Sequence, residues 1–434
     1  MSINASHSKH LFAIVATGLL FPPFLVHYLK PQNVFVVRRS VFAMLGVIYG
    51  FTLKLGPNAD GTRHFERAEL YYSGMTLKTF IVELGQIFSL QGTRAQVFDP
   101  FVHLISYLTG SVLGAPSLFF PVVGLIFGWY FGGAVLLAVE RFHIKSVNYV
   151  ILFFLTLLLF LRGINEIQAV RMWTAMWMML FAIMYWSKTR NATALFAFLM
   201  APLVHFSYFI ICPVAAAFWF LRRRRQALAI TFFVTTAISL PINITEFGTV
   251  ESTGLFETRS SYIVDQDTGS AIVDARNNPM PSGAWYARYI RLGGIDYAFT
   301  LFAATLIVSG FYSKVRGWRA HIISIGIGLM VFSNLAAFVP ALAGRSNLIA
   351  GNILLLGFIA ARLSAMEHGR TFVKRPEIYK LGIHLSMLAL LPVLLFALSS
   401  NTEGVSYLMV TAPLAAIAFP EINMSIKELV NWLI

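Results

Sequence analysis

Arg162, Glu166, Gln168 and Arg171 fall within the ten residues RGINEIQAVR, between two apolar stretches. A guanidinium grips phosphate oxygens through a rigid two-pronged fork. Charges beside a membrane-length apolar run are costly and tend to have a task. Arg162 and Glu166 stand four apart, so on a helix they share a face and can pair. An ordinary interfacial turn with a surface ion pair would use the same residues. His205 lies in APLVHFSYFI, close to Pro202 and Ser207. An imidazole there suits general-base proton transfer or phosphate binding, and equally a hydrogen-bonded packing role. Arg345 lies in PALAGRSNLIAGN, in a very short connection between apolar blocks. Such a connection leaves its guanidinium little freedom, and a bond to a helix C-terminus is the plainer alternative. Asp60, in LGPNADGTRHFERAELYY, offers a carboxylate that can take a proton from a sugar hydroxyl; Asn-Ala-Asp-Gly also reads as a turn. Arg288 and Arg291 stand among Trp285, Tyr286 and Tyr289, a mixture that suits sugar and phosphate contact or an interfacial aromatic belt. Arg171, Arg345 and Arg162 are expected to converge on one outward-facing cavity. A lipid pyrophosphate at the membrane surface is the anion that fits it.

The elements that must hold these residues are membrane helices. The chain has 434 residues, 57% hydrophobic and 12% charged, against roughly 25% charged in an ordinary soluble domain. Mean hydropathy is +0.71. These values exclude a disordered chain, a disulfide scaffold and almost any soluble enzyme. Apolar blocks near 11–29, 40–55, 98–113, 117–139, 147–161, 169–186, 192–221, 227–244, 295–312, 320–342, 348–365, 381–398 and 405–420 approach the length of a spanning helix. The fold class is therefore all-α, a polytopic membrane protein with about 12–14 transmembrane helices. Block 192–221 is too long for one span and holds Pro202 and Pro213, so a broken helix or two short ones is expected. Segment 77–90 is amphipathic and should lie in the interface. The single cysteine, Cys212, sits inside an apolar run and reads as filler. The first apolar run lacks a small-residue cleavage site and reads as a retained first helix.

Lys and Arg placement orients the chain. The run Arg222 to Arg225 marks the cytoplasmic side, joined by 30–39, 141–145, 187–191, 313–319 and 362–380, with the C-terminal tail counted there too. Segments 56–97, 162–171, 245–294, 343–347 and 399–407 then face outward, in a single transmembrane domain with long outer loops at about 56–97 and 245–294. Parity requires one of the three blocks between 98 and 161 not to cross, or segment 77–90 to enter the membrane; 98–113, opening with Asp99-Pro100-Phe101, is the expected non-spanning element. The formal charge of +14 reads as this topology, and no nucleic-acid partner is inferred.

The chain carries no P-loop, HExxH, GxSxG, CxxC or dinucleotide fingerprint. Asp265-Gln266-Asp267 has metal-site spacing but stands in a polar outer loop, so no metal site is assigned. The segment INEIQAVRMWTAMWMMLFAIMYWSKTR, then APLVHFSYFI, then Arg345 in AGRSNLIAGNILLLGF, with Asp60 and Phe98-Asp99-Pro100-Phe101 ahead of them, resembles the EpsG family and the wider Wzy-type bacterial polysaccharide polymerases. Family members commonly place Gln directly after the arginine; here Met172 follows Arg171 and Gln168 precedes it. The resemblance implies a GT-C-like, metal-independent glycosyltransferase of the bacterial inner membrane, with no cofactor. Its partners would be membrane lipid and oligosaccharide repeats on undecaprenyl pyrophosphate, polymerised at the outer face, with a chain-length regulator as a further partner. Arg171, Arg345 and Arg162 would bind the pyrophosphate. His205 or Asp60 would act as base, and Glu166 would shape the site. Gln168, Arg288 and Arg291 would make other substrate contacts. Two other classes use similar resources. One is another lipid-linked transferase, an O-antigen ligase or GT-C enzyme, but a ligase concentrates its outer residues in one very large loop. The other is a transporter, which shows internal repeats not visible here.

Overall fold

In a computed structural model, the structure describes residues 34–55, 60–89, 91, 93, 97–140, 148–239, 284–291, 293–337, 339–369, 372–411 and 424–433. The apolar run 11–29, most of the second outer loop and residues 412–420 lie outside these residues. Among the described residues every regular element is helical, and the one pairing of β type is an isolated bridge between Ser406 and Ser425. In chain order the helices are α1 (Val34–Thr52), α2 (Asp60–Leu70), α3 (Leu77–Phe88), α4 (Pro100–Tyr107), α5 (Phe119–Ala138), α6 (Tyr149–Leu161), α7 (Met172–Thr189) and α8 (Thr193–Val204). They continue as α9 (Tyr208–Leu221), α10 (Arg225–Ser239), α11 (Trp285–Arg291), α12 (Gly294–Val308), α13 (Trp318–Leu335), α14 (Pro340–Glu367), α15 (Pro376–Gly404) and α16 (Ile426–Leu433).

Among the described residues, six segments are long and apolar enough to cross a membrane: Phe35–Thr52, Pro116–Ala138, Tyr149–Ala169, Trp318–Leu335, Leu342–Glu367 and Pro376–Gly404. The chain is thus a polytopic α-helical membrane protein. α8, α9 and α12 are shorter apolar helices. In α1 and α5, glycines recur every fourth residue and remove the side chains that would hold the backbones apart. Gly46 lies on the Gly124 backbone, Gly50 on Phe120 and Gly128 on Phe42, so the pair runs antiparallel and would admit no Cβ at these points.

Contacts gather the basic segments at one end. The Arg225 guanidinium donates to the carbonyls of Tyr312 at 3.1 Å and Val315 at 2.7 Å. Lys188 pairs with Glu140 at 2.5 Å. The Lys374 and Arg375 amides donate to Ser309. Arg190 and Arg222 both approach the Trp219 ring. This brings the outer ends of α8 and α9 together, and Cys212 touches the Phe198 carbonyl between them at 3.8 Å. Block 192–221 is therefore a hairpin broken at His205–Ser207, entering from the basic end and returning to it. Its arms, of 12 and 14 residues, span about 18–21 Å, short of the ~30 Å hydrocarbon core.

α4 and the five-residue π turn that follows it reach only about 20 Å and are not among the six candidate spans, whereas Pro116–Ala138 and Tyr149–Ala169, which takes in α6 and the turn after it, are. The first long outer segment is largely two amphipathic helices. Asp60 and Arg67 complement the dipole of α2 at its two ends. Thr76 caps α3 by accepting the Thr79 amide at 3.2 Å. α3 buries Phe80, Glu83 and Ile87 while exposing Leu77, Ile81, Val82 and Phe88, as an interfacial helix does. The C-terminal tail departs from expectation. Ser425 bridges Ser406, and Lys427 pairs with Glu403 at 2.7 Å. Residues 425–427 therefore lie at the end where α15 finishes, opposite the basic end.

Candidate functional site

Arg171 immediately precedes α7, and the backbone before it is strained. Val170 is buried with φ of 51°, a conformation that β-branched residues resist. Two hydrogen bonds hold it: its amide donates to Ile167 at 3.0 Å, and its carbonyl accepts the Thr174 hydroxyl at 2.6 Å. The turn fixes the direction in which Arg171 leaves the helix.

The Arg171 guanidinium donates to Asp99 Oδ2 at 2.5 Å, with 28% of the arginine side chain and 1% of the aspartate exposed. Asp99 Oδ1 accepts the Phe206 amide at 2.9 Å. One buried carboxylate therefore ties Arg171 to the tip of the α8–α9 hairpin. At that tip, buried His205 accepts at Nδ1 from the Ser207 amide at 3.2 Å and shares a 2.8 Å hydrogen bond with the Ser207 hydroxyl. A backbone N–H can only donate, so Nδ1 carries no proton. The neutral ring then holds its proton on Nε2. That arrangement suits an anion better than it suits proton abstraction. The Tyr208 hydroxyl donates to the Met172 carbonyl at 3.1 Å, closing the tip against the start of α7. Arg345, half-buried in the second turn of α14, acts electrostatically on the same Tyr208 hydroxyl. Two residues beyond it, Asn347 donates to Asp296 of α12 at 2.6 Å. Arg171 and His205 are thus linked through Asp99 and the hairpin tip, and Arg345 acts on Tyr208 of the same tip.

α2 covers another side. Asp60, His64 and Arg67 share a face at spacings of four and three. A methyl group on Gly61 would lie 3.1 Å from the Gln168 carbonyl, and one on Gly110 would lie 2.6 Å from the Ala68 carbonyl. α2 is therefore wedged between the segment leading to Arg171 and the helix that follows Asp99. His64 is buried and stacks on Phe119 with centroids 6.4 Å apart. Burial first, and then the charges of Arg171 and Arg67, push its imidazole down to about 3. It is neutral at physiological pH. Burial, followed by Arg171, also holds the Arg67 guanidinium below its ordinary value.

Arg162 pairs with Glu166 at 2.5 Å, and its guanidinium lies 4.1 Å above the Trp173 ring. Glu166 is thereby engaged by a cation. Asp60 is 63% exposed at the start of α2, 4.0 Å from Arg63, and its charge acts on Arg67. Gln168 borders α2 through its carbonyl. Arg288 is exposed on α11, which packs on α15 and α12. Arg291 closes α11. No described contact joins that helix to Arg171. Among the described residues no group of three His, Cys, Asp or Glu is placed to hold a metal ion.

From the sequence, Asp99 stood out only as the start of a block and as part of the family-like motif, with no role in the site, and His64 and Arg67 were not singled out. Asp99 obeys the rule that found the others, a charge at the edge of an apolar block, but Asp before Pro also reads as a plain helix start. His64 and Arg67 emerge only when 60–70 is read with helical period.

Beside the hairpin tip, a cavity of about 650 Å³ lies between α4, α5, α7 and α8, lined by apolar side chains such as Leu104, Ile126, Met178 and Met200. It begins at Pro100 and Val204, the neighbours of Asp99 and His205. Comparison with protein-family models, curated proteins and solved structures finds no match to this chain.

Proposed function

We propose that this protein is a polysaccharide polymerase of GT-C-like architecture in the bacterial inner membrane. It transfers a glycan chain from undecaprenyl pyrophosphate onto a repeat unit carried by the same lipid, at the outer face. The observation that supports this reading is the Asp99 carboxylate that ties Arg171 to the hairpin tip carrying His205, beside an apolar groove, with Arg345 acting on Tyr208 of that tip. Arginines and an Nε2–H donor suit a diphosphate, and the groove suits the lipid that bears it. The acceptor hydroxyl oxygen bonds to the anomeric carbon as the bond from that carbon to the diphosphate oxygen breaks. The electron pair leaves with the lipid diphosphate, where Arg171 and Arg345 stabilise it and His205 donates to it. The hydroxyl proton passes to a base, and Asp60, accessible and not tied up by a short ion pair, fits that role better than Glu166. Arg162 and Glu166 brace the turn that carries Arg171.

Losing one such phosphate contact should cost about 2–4 kcal/mol of transition-state stabilisation. Arg171→Ala and Arg345→Ala should stay in the membrane yet make no long polymer. Arg171→Lys, which keeps a charge for Asp99 but loses the fork, should make only short chains. Near-normal chain length in both alanine variants would refute the reading. The broken hairpin also favours a second reading, because transporters build substrate sites from interrupted helices. Purified protein that lengthens lipid-linked repeats in detergent would exclude a purely transporting role. Accumulation of single-repeat product in cells lacking the protein would separate a polymerase from a ligase.

A further inference from the structure

His64 is 3% exposed, and its Nδ1 finds no hydrogen-bond partner among the described residues. A buried polar atom left unpaired is costly, and in a native site it commonly marks the position of a ligand or water. The helix bearing it is held against both the Gln168 carbonyl and the helix after Asp99. Arg67 stands one helical turn beyond it on α2, and the charges of Arg171, Arg67 and Arg63 act on the imidazole against that of Asp99. Asp99 is already engaged by Arg171. Among the described residues, no carboxylate lies within ion-pair distance of Arg67. Like charges collected in a partly dry site repel one another unless an anion joins them.

We propose that His64 and Arg67 form a phosphoryl subsite of their own, so that the site takes a diphosphate with one phosphoryl group toward Arg345 and the other toward α2, both sharing Arg171. This inference rests on the polymerase reading of the same site, and it names two ligands that the sequence did not suggest. Arg67 supplies a guanidinium fork. The neutral His64 contributes a hydrogen bond without adding a third cation.

The test uses the full-length protein in lipid nanodiscs with inorganic pyrophosphate and inorganic phosphate as probes, read by calorimetry. The unsubstituted chain should prefer pyrophosphate by about tenfold or more, the scale of one added charge-assisted contact. Arg67→Gln and His64→Asn should each remove most of that preference, weakening pyrophosphate about tenfold while leaving phosphate within about threefold. Arg67 is only half-buried, so its variant tests the subsite even where the His64 variant fails to fold. Pyrophosphate affinity unchanged in Arg67→Gln, or both anions weakened equally, would overturn the subsite and leave the Arg171 reading standing. An unsubstituted chain that binds neither anion would overturn both.

Discussion

At the residue scale, Asp99 organises the site without being free to act as a base. Its two oxygens accept from Arg171 and from the Phe206 amide. Asp99→Ala leaves both donors without their carboxylate. Breaking a buried pair costs about 3–5 kcal/mol, and the 28% exposure of Arg171 brings the expectation toward the lower end. Asp99→Asn keeps an acceptor for only one of the two donors and turns an N–H toward the other, so it should melt well below the parent, measured by thermal unfolding in detergent. His64 makes a pH prediction. Its folded value, about 3, lies below the ordinary 6.5. Unfolding therefore takes up a proton between those values, so stability falls as pH drops from about 6.5 toward 3 and is unaffected by this group at higher pH. His64→Asn should flatten that slope in melting curves recorded across the window. Arg171, His205 and Arg345 were legible in the sequence because a charge or imidazole beside an apolar run is conspicuous. The amide of Phe206 was not, because backbone donors carry no residue signature.

At the scale of elements, the breaks were easier to read than the pairings. The length of 192–221 and its prolines signalled an interruption, but the return of both arms to one end emerges only from Trp219 meeting Arg190 and Arg222. The first outer loop was legible as polar yet not as two helices, since DGTRHFERAEL has too few apolar residues to display a strong stripe. The glycines of α1 and α5 were not singled out, because a spacing of four gives no sign of which helices it joins. Their role predicts that Gly124→Leu, driven into the Gly46 backbone, disrupts packing by more than the usual 1–3 kcal/mol of an overfilled core. Gly85→Ala, with nothing near the added methyl, should be harmless. Size-exclusion profiles of the two purified variants would show loss of the monodisperse species only for the first.

For the molecule as a whole, charge placement predicts orientation. Replacing the lone buried Cys212 by alanine provides a background without cysteine. A cysteine introduced at Glu69 should react with an impermeant maleimide in intact cells. One at Arg223 should react only after the membrane is opened. The reverse pattern would turn the cluster toward the cytoplasm. The class of the fold and the basic end were legible because hydrocarbon tolerates so few charges. The count of crossings was not, because residues 98–112 and the two hairpin arms are apolar without spanning.

The bond network of Asp99 reaches across 72 residues to Arg171 and 107 to Phe206. A chimera that grafts residues 60–112 from another chain would sever those ties unless 162–207 came with them. The two stretches form one structural unit, although two of the six candidate spans, Pro116–Ala138 and Tyr149–Ala169, begin between them.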